Sequence, residues 1–417
     1  MHPLFRLPAL VTTLFLAACT AAVEPPTGEC LPDNGWLFLG QGPYTLTTKV
    51  DAAPGEALFQ LVTDRSLMAD TPEVLLETAV TVAPDSTLQV ALGTLEPGFY
   101  QVRLRDSVRF NIGVRPDAVT SAPDARPDFD AFWEETLSEL AAIPLDPVYT
   151  RLPECSNELR TGYEVRFTSL GGATAGCTLS IPNAPGKYPV YIQYMGYGAE
   201  PFTFDPSANP HQIDVLVSVR GQGIFKTAAE SWVSQGIAAK ESYYYRGAFC
   251  DVKRAIDLVA SLDKADPDHL YAMGESQGGA FTAVAAALDP RLRAVSLAVP
   301  FLGDYPDYAK IVWWPVHEVF ERADAEGLSR EALFETLSYF DVKNFAPRIH
   351  CPVIMAFGLQ DPTCPPHTNF AIYNNLGTAN KHFVCVPTCG HAMWNEPAWP
   401  PVRDAFLLQQ EEKCLSL

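Results

Sequence analysis

A serine flanked by glycines, in the segment GESQG at Gly274–Gly278, is the first feature of this chain that could do chemistry. A serine hydroxyl is a weak nucleophile until an adjacent base takes its proton. The segment HLYAMG before Ser276 is typical of a strand, and GGAFTAVAAALD after it is typical of a helix. Glycine relieves crowding in such a turn, at Gly274 in the bend and at Gly278 where the helix approaches the strand. The segment predicts Ser276 as a nucleophile, with an ordinary glycine-rich turn as the alternative.

Two residues that follow later strands are the predicted partners of Ser276. Asp361 comes after CPVIMAFG and His391 comes after HFVCVPT, so both lie at the ends of predicted strands. The histidine would take the serine proton, and the aspartate would hold the imidazole in the required tautomer. Asp304 is the alternative acid. Four other downstream histidines do not directly follow a predicted strand, and we expect them on the surface or in the core: His317, His350, His367 and His382.

The anion that forms during acyl transfer needs hydrogen-bond donors aimed at it. One predicted donor is the backbone N–H of Gln277, directly after the nucleophile. The other is the backbone N–H of Tyr197, in the loop after the strand segment YPVYIQY. The alternative for Tyr197 is a loop aromatic that packs on its neighbours.

The elements that must position these residues alternate between strands and helices. Six apolar segments after residue 187 predict strands, namely YPVYIQY, DVLVSV, HLYAMG, RAVSLAV, CPVIMAFG and HFVCVPT. Helical spacing is found at Asp128–Ile143, Asp251–Leu262 and Gly278–Leu288. The alternation predicts an α/β fold with a mainly parallel sheet flanked by helices, and ligands bind at the carboxyl ends of such strands.

The N-terminal part follows a different pattern. Seven short alternating segments between Trp36 and Val114 predict strands, separated by turn signals such as APGE and EPG. They predict an all-β sandwich of immunoglobulin-like size over residues 30–115. Residues 116–126, rich in Pro, Ala and Asp, are predicted as a linker, and residues 127–417 as the α/β domain.

The first residues predict export. Arg6 precedes a short apolar run that ends in LAAC at Leu16–Cys19, which is typical of a secretory signal and resembles a bacterial lipobox. We expect a signal peptide over residues 1–18, lipidation of Cys19 and a tether over residues 19–29, with an unlipidated signal peptide as the alternative. Thr20 after Cys19 favours the outer membrane, facing the periplasm or the cell surface.

The charge of the chain restricts its partners. The formal net charge is −20, so the surface repels nucleic acid phosphates and anionic lipid headgroups. We therefore expect no nucleic acid partner, and a neutral substrate is the simpler expectation.

From about residue 126 onward the sequence resembles the acetyl xylan esterase and cephalosporin-C deacetylase family of α/β-hydrolases, also called carbohydrate esterase family seven. The segments that carry the resemblance are DFDAFWEETLSELAAIPLDP, VRGQG, YYYR, GESQGGA, VPFLGDYP, GLQDPTCPP and the final GH. They cover about seventy per cent of the chain in the family's order.

The resemblance implies a serine esterase that removes acetyl groups from carbohydrate hydroxyls, such as those of acetylated xylan, or from cephalosporin C, without a cofactor or metal. It supports Ser276, Asp361 and His391 as the catalytic triad, and the N–H groups of Tyr197 and Gln277 as the oxyanion hole. It gives Arg220, Gly221 and Gln222 a structural role near the site. Many relatives form hexamers, but an N-terminal tether and an added domain leave the formation of a homo-oligomer open.

The sequence departs from the family pattern at three places near the site. Met195 stands where the family has the histidine of an HG pair, and Ala392 follows the final histidine where the family has glutamate. Glu275 replaces a glycine beside the nucleophile. These departures leave the triad intact and leave the substrate range open.

Cysteines and tryptophans near the predicted loops allow further hypotheses. Cys364 and Cys389 lie close in sequence to Asp361 and His391, so a disulfide could join the two loops. A metal site formed by Cys385, Cys389 and His391 is the alternative, although a fourth ligand is not evident. Three tryptophans are candidates for a wall on which sugars stack, with core packing as the alternative: Trp313, Trp314 and Trp394.

Competing functions remain at this point. A broader carboxylesterase or a peptidase on the same fold would use the same triad. A glycan-binding surface lipoprotein without catalysis is the alternative of a different class, but binding alone does not require Ser, Asp and His at three loop positions.

Overall fold

The computed structural model describes residues 28–105, 107–226 and 231–415. The predicted signal peptide at residues 1–18, Cys19 and most of the predicted tether lie outside the described residues. Within these ranges, no helix combines the length and the apolar character that a membrane crossing requires.

A ten-stranded sheet forms the larger part of the described molecule. Its order is β1-β17-β16-β15-β14-β12-β13-β11-β10-β9, where β1 is Glu29–Cys30, and the run from β1 to β13 is parallel throughout. Two of the parallel strands, Ile213–Ser218 and Val353–Gly358, are buried at every residue, as strands covered on both faces must be. The strands from β9 onward are Val148–Leu152, Arg160–Thr168, Thr174–Pro182, Tyr188–Tyr194, Ile213–Ser218, Ala265–Glu275, Leu292–Ala298, Val353–Gly358 and Lys381–Val386.

Helices pack around this sheet and complete the predicted α/β fold. The helix after β14 is the most deeply enclosed, since it contacts β12, β14 and β15 as well as α2. The three predicted helices are present, but the one predicted from Asp251 begins at Tyr244, seven residues earlier. The segment between β15 and β16 adds four short helices. The helices α1 to α9 are Phe129–Ala141, Tyr244–Ala260, Gln277–Leu288, Tyr305–Ile311, Val316–Ala325, Arg330–Ser338, Val342–Phe345, Pro366–Asn374 and Trp399–Leu415.

An antiparallel extension of the sheet was not anticipated by the sequence analysis. β9, β10 and β11 pair antiparallel with one another, and β11 joins β13 in the same manner. Within this extension Arg160 is fully buried, and its guanidinium bonds the Asp214 carboxylate at 2.7 Å and the Ser180 carbonyl at 2.9 Å. A buried arginine breaks the apolar alternation by which a strand is recognised in sequence.

Seven strands in the N-terminal part form two small sheets, at the positions where the sequence predicts strands. The five-stranded sheet has the order β2-β8-β7-β4-β5, and β3 pairs with β6 in the second sheet. Alternating inward residues such as Leu46, Phe59, Val102 and Ile112 form a separate apolar core. The strands β2 to β8 are Leu37–Phe38, Tyr44–Lys49, Gly55–Thr63, Val74–Val82, Thr87–Gly93, Gly98–Leu104 and Val108–Val114.

The boundary predicted between the tether and the sandwich, between residues 29 and 30, falls within a strand. Residues Glu29–Cys30 form β1, which pairs in parallel with Val384 and Cys385 of β17 at the edge of the large sheet. The chain therefore contacts the α/β domain before it enters the sandwich. Pairing with β17 gives hydrogen-bond partners to backbone groups at the edge of the sheet, which explains why this short segment is fixed there.

The predicted linker at residues 116–126 lies against α8 and is held there by side-chain amides. Asn374 donates to the carbonyls of Pro116 and Val119 at 2.9 and 2.8 Å. Asn375 donates to the carbonyl of Ser121 at 2.7 Å. These bonds fix the linker in place, so it is an ordered connection.

The sandwich packs directly on the α/β domain. Phe99 of β7 is buried and contacts the rings of Phe357 and Phe370, with centroids 6.4 and 5.7 Å apart. Beside this contact, buried His367 of α8 places Nδ1 3.0 Å from the Asp64 carboxylate of the sandwich and Nε2 3.4 Å from Asp307. Burial alone would lower the pKa of His367, but the two carboxylates outweigh it and raise that pKa to about 9.

This histidine makes stability depend on pH. Because the folded pKa of His367 lies above its unfolded value, its contribution is fully present below about pH 6.5 and is lost as pH rises through 9. We expect the free energy of unfolding to fall by about 1–3 kcal/mol more between pH 6 and pH 9.5 in wild type than in His367→Gln. Urea titration of both proteins measures this difference. His350→Gln, at an exposed histidine, should keep the wild-type slope, and equal slopes in wild type and His367→Gln would contradict the prediction.

Candidate active site

Ser276 lies at the turn between β14 and α3, with backbone angles φ 56° and ψ −122°. Neighbouring strands hold this turn, since Ser276 N–H donates to the Ala298 carbonyl at 3.0 Å. The two glycines are required by close approach. A Cβ on Gly274 would lie 2.3 Å from the Gly278 carbonyl oxygen, and a Cβ on Gly278 would lie 2.1 Å from the Tyr194 carbonyl oxygen. The turn therefore exposes the hydroxyl where a larger residue on either side would not fit.

The structure brings Ser276, His391 and Asp361 together in one chain of hydrogen bonds. His391 Nε2 lies 3.0 Å from Ser276 Oγ, and His391 Nδ1 lies 2.9 Å from Asp361 Oδ2. The other carboxylate oxygen of Asp361 accepts from the N–H groups of Thr363 and Cys364 at 2.7 and 2.8 Å. These bonds orient a fully buried carboxylate toward the imidazole. Such a chain can activate a serine hydroxyl for acyl transfer.

The two predicted oxyanion residues lie near Ser276, since Tyr197 lines the same cavity and Gln277 directly follows the serine. Tyr197 lies in the loop after β12, and α3 begins at Gln277, so the N–H of Gln277 is among those that have no partner within the helix. The Tyr197 ring packs edge-to-face on Trp232 and Trp314, with centroids 5.1 and 5.7 Å away. The side chain thus has the packing role that was the alternative, and the residue also lines the cavity in front of Ser276.

Gln222 joins the two sides of the oxyanion site. Its Oε1 accepts from Gly198 N–H in the Tyr197 loop at 3.0 Å and from Gln277 Nε2 at 3.0 Å. Its Nε2 donates to the Tyr244 hydroxyl at 2.8 Å, and Tyr245 donates to Gln277 Oε1 at 2.9 Å. These buried side chains fix the loop and the start of α3 relative to each other. Tyr244 and Tyr245 belong to the YYYR motif, whose role the sequence did not reveal.

Arg220 serves the same scaffold and does not line the cavity at Ser276. Its guanidinium binds the buried Asp251 carboxylate through two nitrogens at 2.7 and 2.9 Å and donates to the Leu170 carbonyl at 3.2 Å. Burial opposes the charge of Arg220, but Asp251 outweighs it and raises the pKa of Arg220 above its ordinary value. Gly221, with φ +73°, lets the chain turn between Arg220 and Gln222. The carboxylate partner Asp251 lies in α2 and was not identified from the sequence.

The alternative acid and the alternative histidines lie elsewhere. Asp304 is buried and ion-paired with Lys343 at 3.0 Å. His367 bonds Asp64 at the interface, and His317 stacks on Trp313 at the surface. The two remaining histidines, His350 and His382, approach the Gly377 carbonyl and the Asn380 side chain.

A cavity of about 740 Å³ opens in front of Ser276 and His391. Trp314 and Trp394 both line it, whereas Trp313 lines a neighbouring cavity. Trp394 is 59% exposed and meets the His391 ring edge-to-face with centroids 6.1 Å apart. The aromatic lining suits an apolar sugar face beside the reacting ester.

Glu275 lines the same cavity, next to the nucleophile. Burial raises the pKa of its carboxyl to about 6, although Arg403 and His391 act in the opposite direction. Among the described residues, its Oε2 atom has no hydrogen-bond partner. The departure from the family pattern therefore places a carboxyl group at the wall of the substrate cavity.

The disulfide predicted between Cys364 and Cys389 is wrong. Both are free thiols. Cys364 is buried with its sulfur 4.0 Å from Ser276 Oγ, and the Cys389 thiol donates to the Gly390 carbonyl at 3.3 Å. The two sulfur atoms therefore have different neighbours and do not bond each other. The two loops are joined by hydrogen bonds instead.

The metal site considered for Cys385, Cys389 and His391 does not form among the described residues. Cys385 contacts Cys30 across the β1–β17 pair, while His391 is engaged with Asp361 and Ser276.

The acid loop and the histidine loop are joined by Gln360, which sequence reasoning missed. Its Oε1 accepts from Asn111 N–H at 2.7 Å, and its Nε2 donates to the carbonyls of Asn111 and Pro387 at 3.0 and 2.9 Å. Asn111 belongs to β8 of the sandwich, and its side chain donates to the Leu359 carbonyl at 3.1 Å. The sandwich therefore contacts the two residues directly before Asp361.

Comparisons with known proteins agree with this geometry. Residues 119–398 match the family described as acetyl xylan esterase (AXE1). Acetyl esterase Axe7A of Xylanibacter ruminicola is 28% identical over 325 residues, which cover 72% of this chain and 73% of that protein.

Two solved structures are similar over nearly their whole length. Acetyl xylan esterase 1 from Thermoanaerobacterium sp. JW/SL YS485 is 27% identical, with a TM-score of 0.62, over 71% of this chain and 98% of that one. The acetyl xylan esterase from Paenibacillus sp. R4 is 29% identical, with a TM-score of 0.65, over 72% and 98%. The sandwich strands lie before residue 119, outside the matched family region.

Substitution of Gln360 tests whether contact with the sandwich positions Asp361. We expect Gln360→Ala to lower kcat about tenfold and to change KM little, because the loop before Asp361 loses three hydrogen bonds while the substrate cavity keeps its lining. Steady-state hydrolysis of 4-nitrophenyl acetate measures both constants. Gln60→Ala, at a residue bonded to Glu77 within the sandwich, is the matched control. A kcat within twofold of wild type would contradict the positioning role.

Proposed function

The chain belongs to the acetyl xylan esterase family, and from this premise we propose that it removes acetyl groups from the hydroxyls of xylan-type polysaccharides and oligosaccharides. The observation that carries the proposal is the hydrogen-bonded sequence Ser276–His391–Asp361 at the wall of an aromatic cavity. A binding protein has no need of this arrangement, which favours the enzyme over the glycan-binding alternative.

In the proposed mechanism, Ser276 Oγ attacks the acetyl carbonyl carbon while His391 Nε2 takes the hydroxyl proton. The Asp361 carboxylate stabilises the imidazolium that results. The N–H groups of Tyr197 and Gln277 stabilise the oxyanion of the tetrahedral intermediate. His391 then gives its proton to the sugar oxygen, which leaves as an alcohol, and an acetyl-enzyme remains on Ser276.

Water completes the reaction by the same route. His391 takes a proton from water, the hydroxide attacks the acetyl carbonyl carbon, and Ser276 leaves with the proton that His391 returns. The products are acetate and free enzyme. Apart from the water that is consumed, each step uses only groups of the site, and no step changes an oxidation state.

The cavity supports an acyl acceptor larger than a simple alcohol. Its volume of about 740 Å³ lies within the range of about 300–1,000 Å³ that is usual for small-molecule sites. Trp314 and Trp394 offer faces for a pyranose ring, and the ester carbonyl would lie beside Ser276. These features support a carbohydrate ester as substrate more than a peptide.

Acetate release by wild type and Ser276→Ala tests the proposed function. We expect wild type to release acetate from acetylated xylo-oligosaccharides, and Ser276→Ala to lose at least about a thousandfold in kcat, because the nucleophile is absent. Acetylated glucomannan, cephalosporin C and an N-acetylated dipeptide serve as comparison substrates. Ser338→Ala, at a serine bonded to the Glu335 carbonyl, is the control. Unchanged acetate release by Ser276→Ala would refute the mechanism, and preference for the peptide would favour a peptidase.

We also propose that the protein is exported and anchored by lipid on Cys19, as the LAAC segment at Leu16–Cys19 indicates. Expression in a Gram-negative host should place wild type in the outer-membrane fraction. Cys19→Ser should instead be found outside this fraction or remain unprocessed, because it lacks the thiol that accepts the lipid. Cys155→Ser controls for loss of a cysteine. Equal fractionation of wild type and Cys19→Ser would contradict the anchor.

A further inference from the structure

A second cavity, of about 610 Å³, lies between the sandwich and the α/β domain. Its sandwich wall is formed by β7 and β8, and its other wall by the acid loop and Trp313. The two cavities share a boundary, because Pro362 lines this one and the next residue, Thr363, lines the cavity at Ser276. In the same way Trp313 lines this cavity, and Trp314 lines the other.

Two arginines face each other on the sandwich wall. Arg103 of β7 and Arg109 of β8 are partners in the antiparallel register, so their side chains lie on the same face of the sheet. Both line the cavity. Like charges directly opposite each other on neighbouring strands are destabilising. Burial and the Arg109 charge lower the pKa of Arg103, which reflects this repulsion.

No carboxylate offsets the two charges within the part of the chain that the structure describes. Neither Arg103 nor Arg109 forms an ion pair there, although acidic residues outnumber basic ones by 49 to 29 in the sequence. The cavity carboxylates Asp64 and Asp361 are engaged by His367 and His391. An anion from outside would therefore find two cations that are not paired with any acid of the described residues.

The neighbouring side chains are suited to a sugar. Gln101 accepts from Arg103 Nε at 2.8 Å, which orients the guanidinium. Trp313 is 67% exposed and stacks by one face on the His317 ring, with centroids 4.9 Å apart and an interplanar angle of 11°. The apolar face of a pyranose ring packs well on such an indole, and a guanidinium binds a carboxylate through two parallel hydrogen bonds.

We infer that this cavity binds a uronic acid residue of the acetylated polysaccharide, with its carboxylate on Arg103 and Arg109 and a neighbouring sugar ring on Trp313. This inference rests on the proposed esterase function. The sandwich then contributes part of the substrate site and directs the esterase to acetyl groups close to an acidic sugar. The shared boundary lets one glycan chain occupy both cavities.

A comparison of acidic and neutral substrates tests the inference. The substrates are an acetylated xylo-oligosaccharide that carries one glucuronic acid branch and the same oligosaccharide without it. We expect wild-type kcat/KM to be about five- to tenfold higher for the acidic substrate, and the Arg103→Gln/Arg109→Gln variant to lose this preference. Trp313→Ala should raise KM for both oligosaccharides, because the indole contacts the ring and not the carboxylate.

Two controls separate this site from the catalytic centre. Arg151→Gln removes an exposed arginine of β9, at the far edge of the large sheet, and should keep the preference for the acidic substrate. The Arg103→Gln/Arg109→Gln variant and Arg151→Gln should both hydrolyse 4-nitrophenyl acetate at the wild-type rate, because this ester is too small to reach the second cavity. Equal kcat/KM for the two oligosaccharides in wild type, or a preference that survives the double substitution, would overturn the inference.

A binding measurement keeps the inference independent of turnover. Calorimetry with Ser276→Ala should show tighter binding of the deacetylated acidic oligosaccharide than of the neutral one, and weaker binding of the acidic one at high salt. Equal binding of both, or competition by inorganic sulfate as strong as that by the oligosaccharide, would refute a uronic acid site. Absence of acetate release from every ester by wild type would refute the proposed function instead, while this comparison still decides on the second cavity.

Discussion

The turn at Ser276 is the constraint on which the rest of the structure depends. A serine with φ 56° and ψ −122° lies outside the favoured backbone regions, at a cost of about 1–3 kcal/mol that the surrounding structure must offset. Hydrogen bonds to strand β15 and the close packing at Gly274 and Gly278 hold it there. The same turn sets the position of the Gln277 N–H, so the proposed nucleophile and the proposed oxyanion donor are fixed by one segment of backbone.

Networks of buried polar side chains hold the Tyr197 loop and the start of α3 at fixed positions relative to this turn. The amides of Gln222 and Gln277 bond each other and reach the Tyr197 loop, and Arg220 with Asp251 anchors the segment that carries Gln222. Polar groups in a dry interior are costly unless every partner is present. A network that is satisfied in this manner is therefore stiff, which suits a site that must hold its donors ready for a developing charge.

The N-terminal sandwich is part of this arrangement. It touches the residues before Asp361 through Asn111, contributes Asp64 to the buried charge pair with His367, and forms one wall of the second cavity. Its packing at Phe99 joins its surface to the apolar core of the α/β domain. A domain outside the matched family region thus supports the acid loop and extends the surface available to substrate.

The sequence alone determined most of the elements and the three residues that the structure joins by hydrogen bonds, because strand and helix periods are local and Ser276, Asp361 and His391 each follow an apolar strand. It could not reveal pairings between distant segments. The contact between Gln360 and Asn111 depends on how the two domains pack. So does the cavity that Arg103 and Arg109 line together with Trp313. No local sequence pattern indicates that packing. The free thiols of Cys364 and Cys389 illustrate the same limit, since closeness in sequence to neighbouring loops does not fix the direction of a side chain. Only the tertiary structure decided these contacts, because they arise from side-chain directions and domain packing that sequence spacing does not specify.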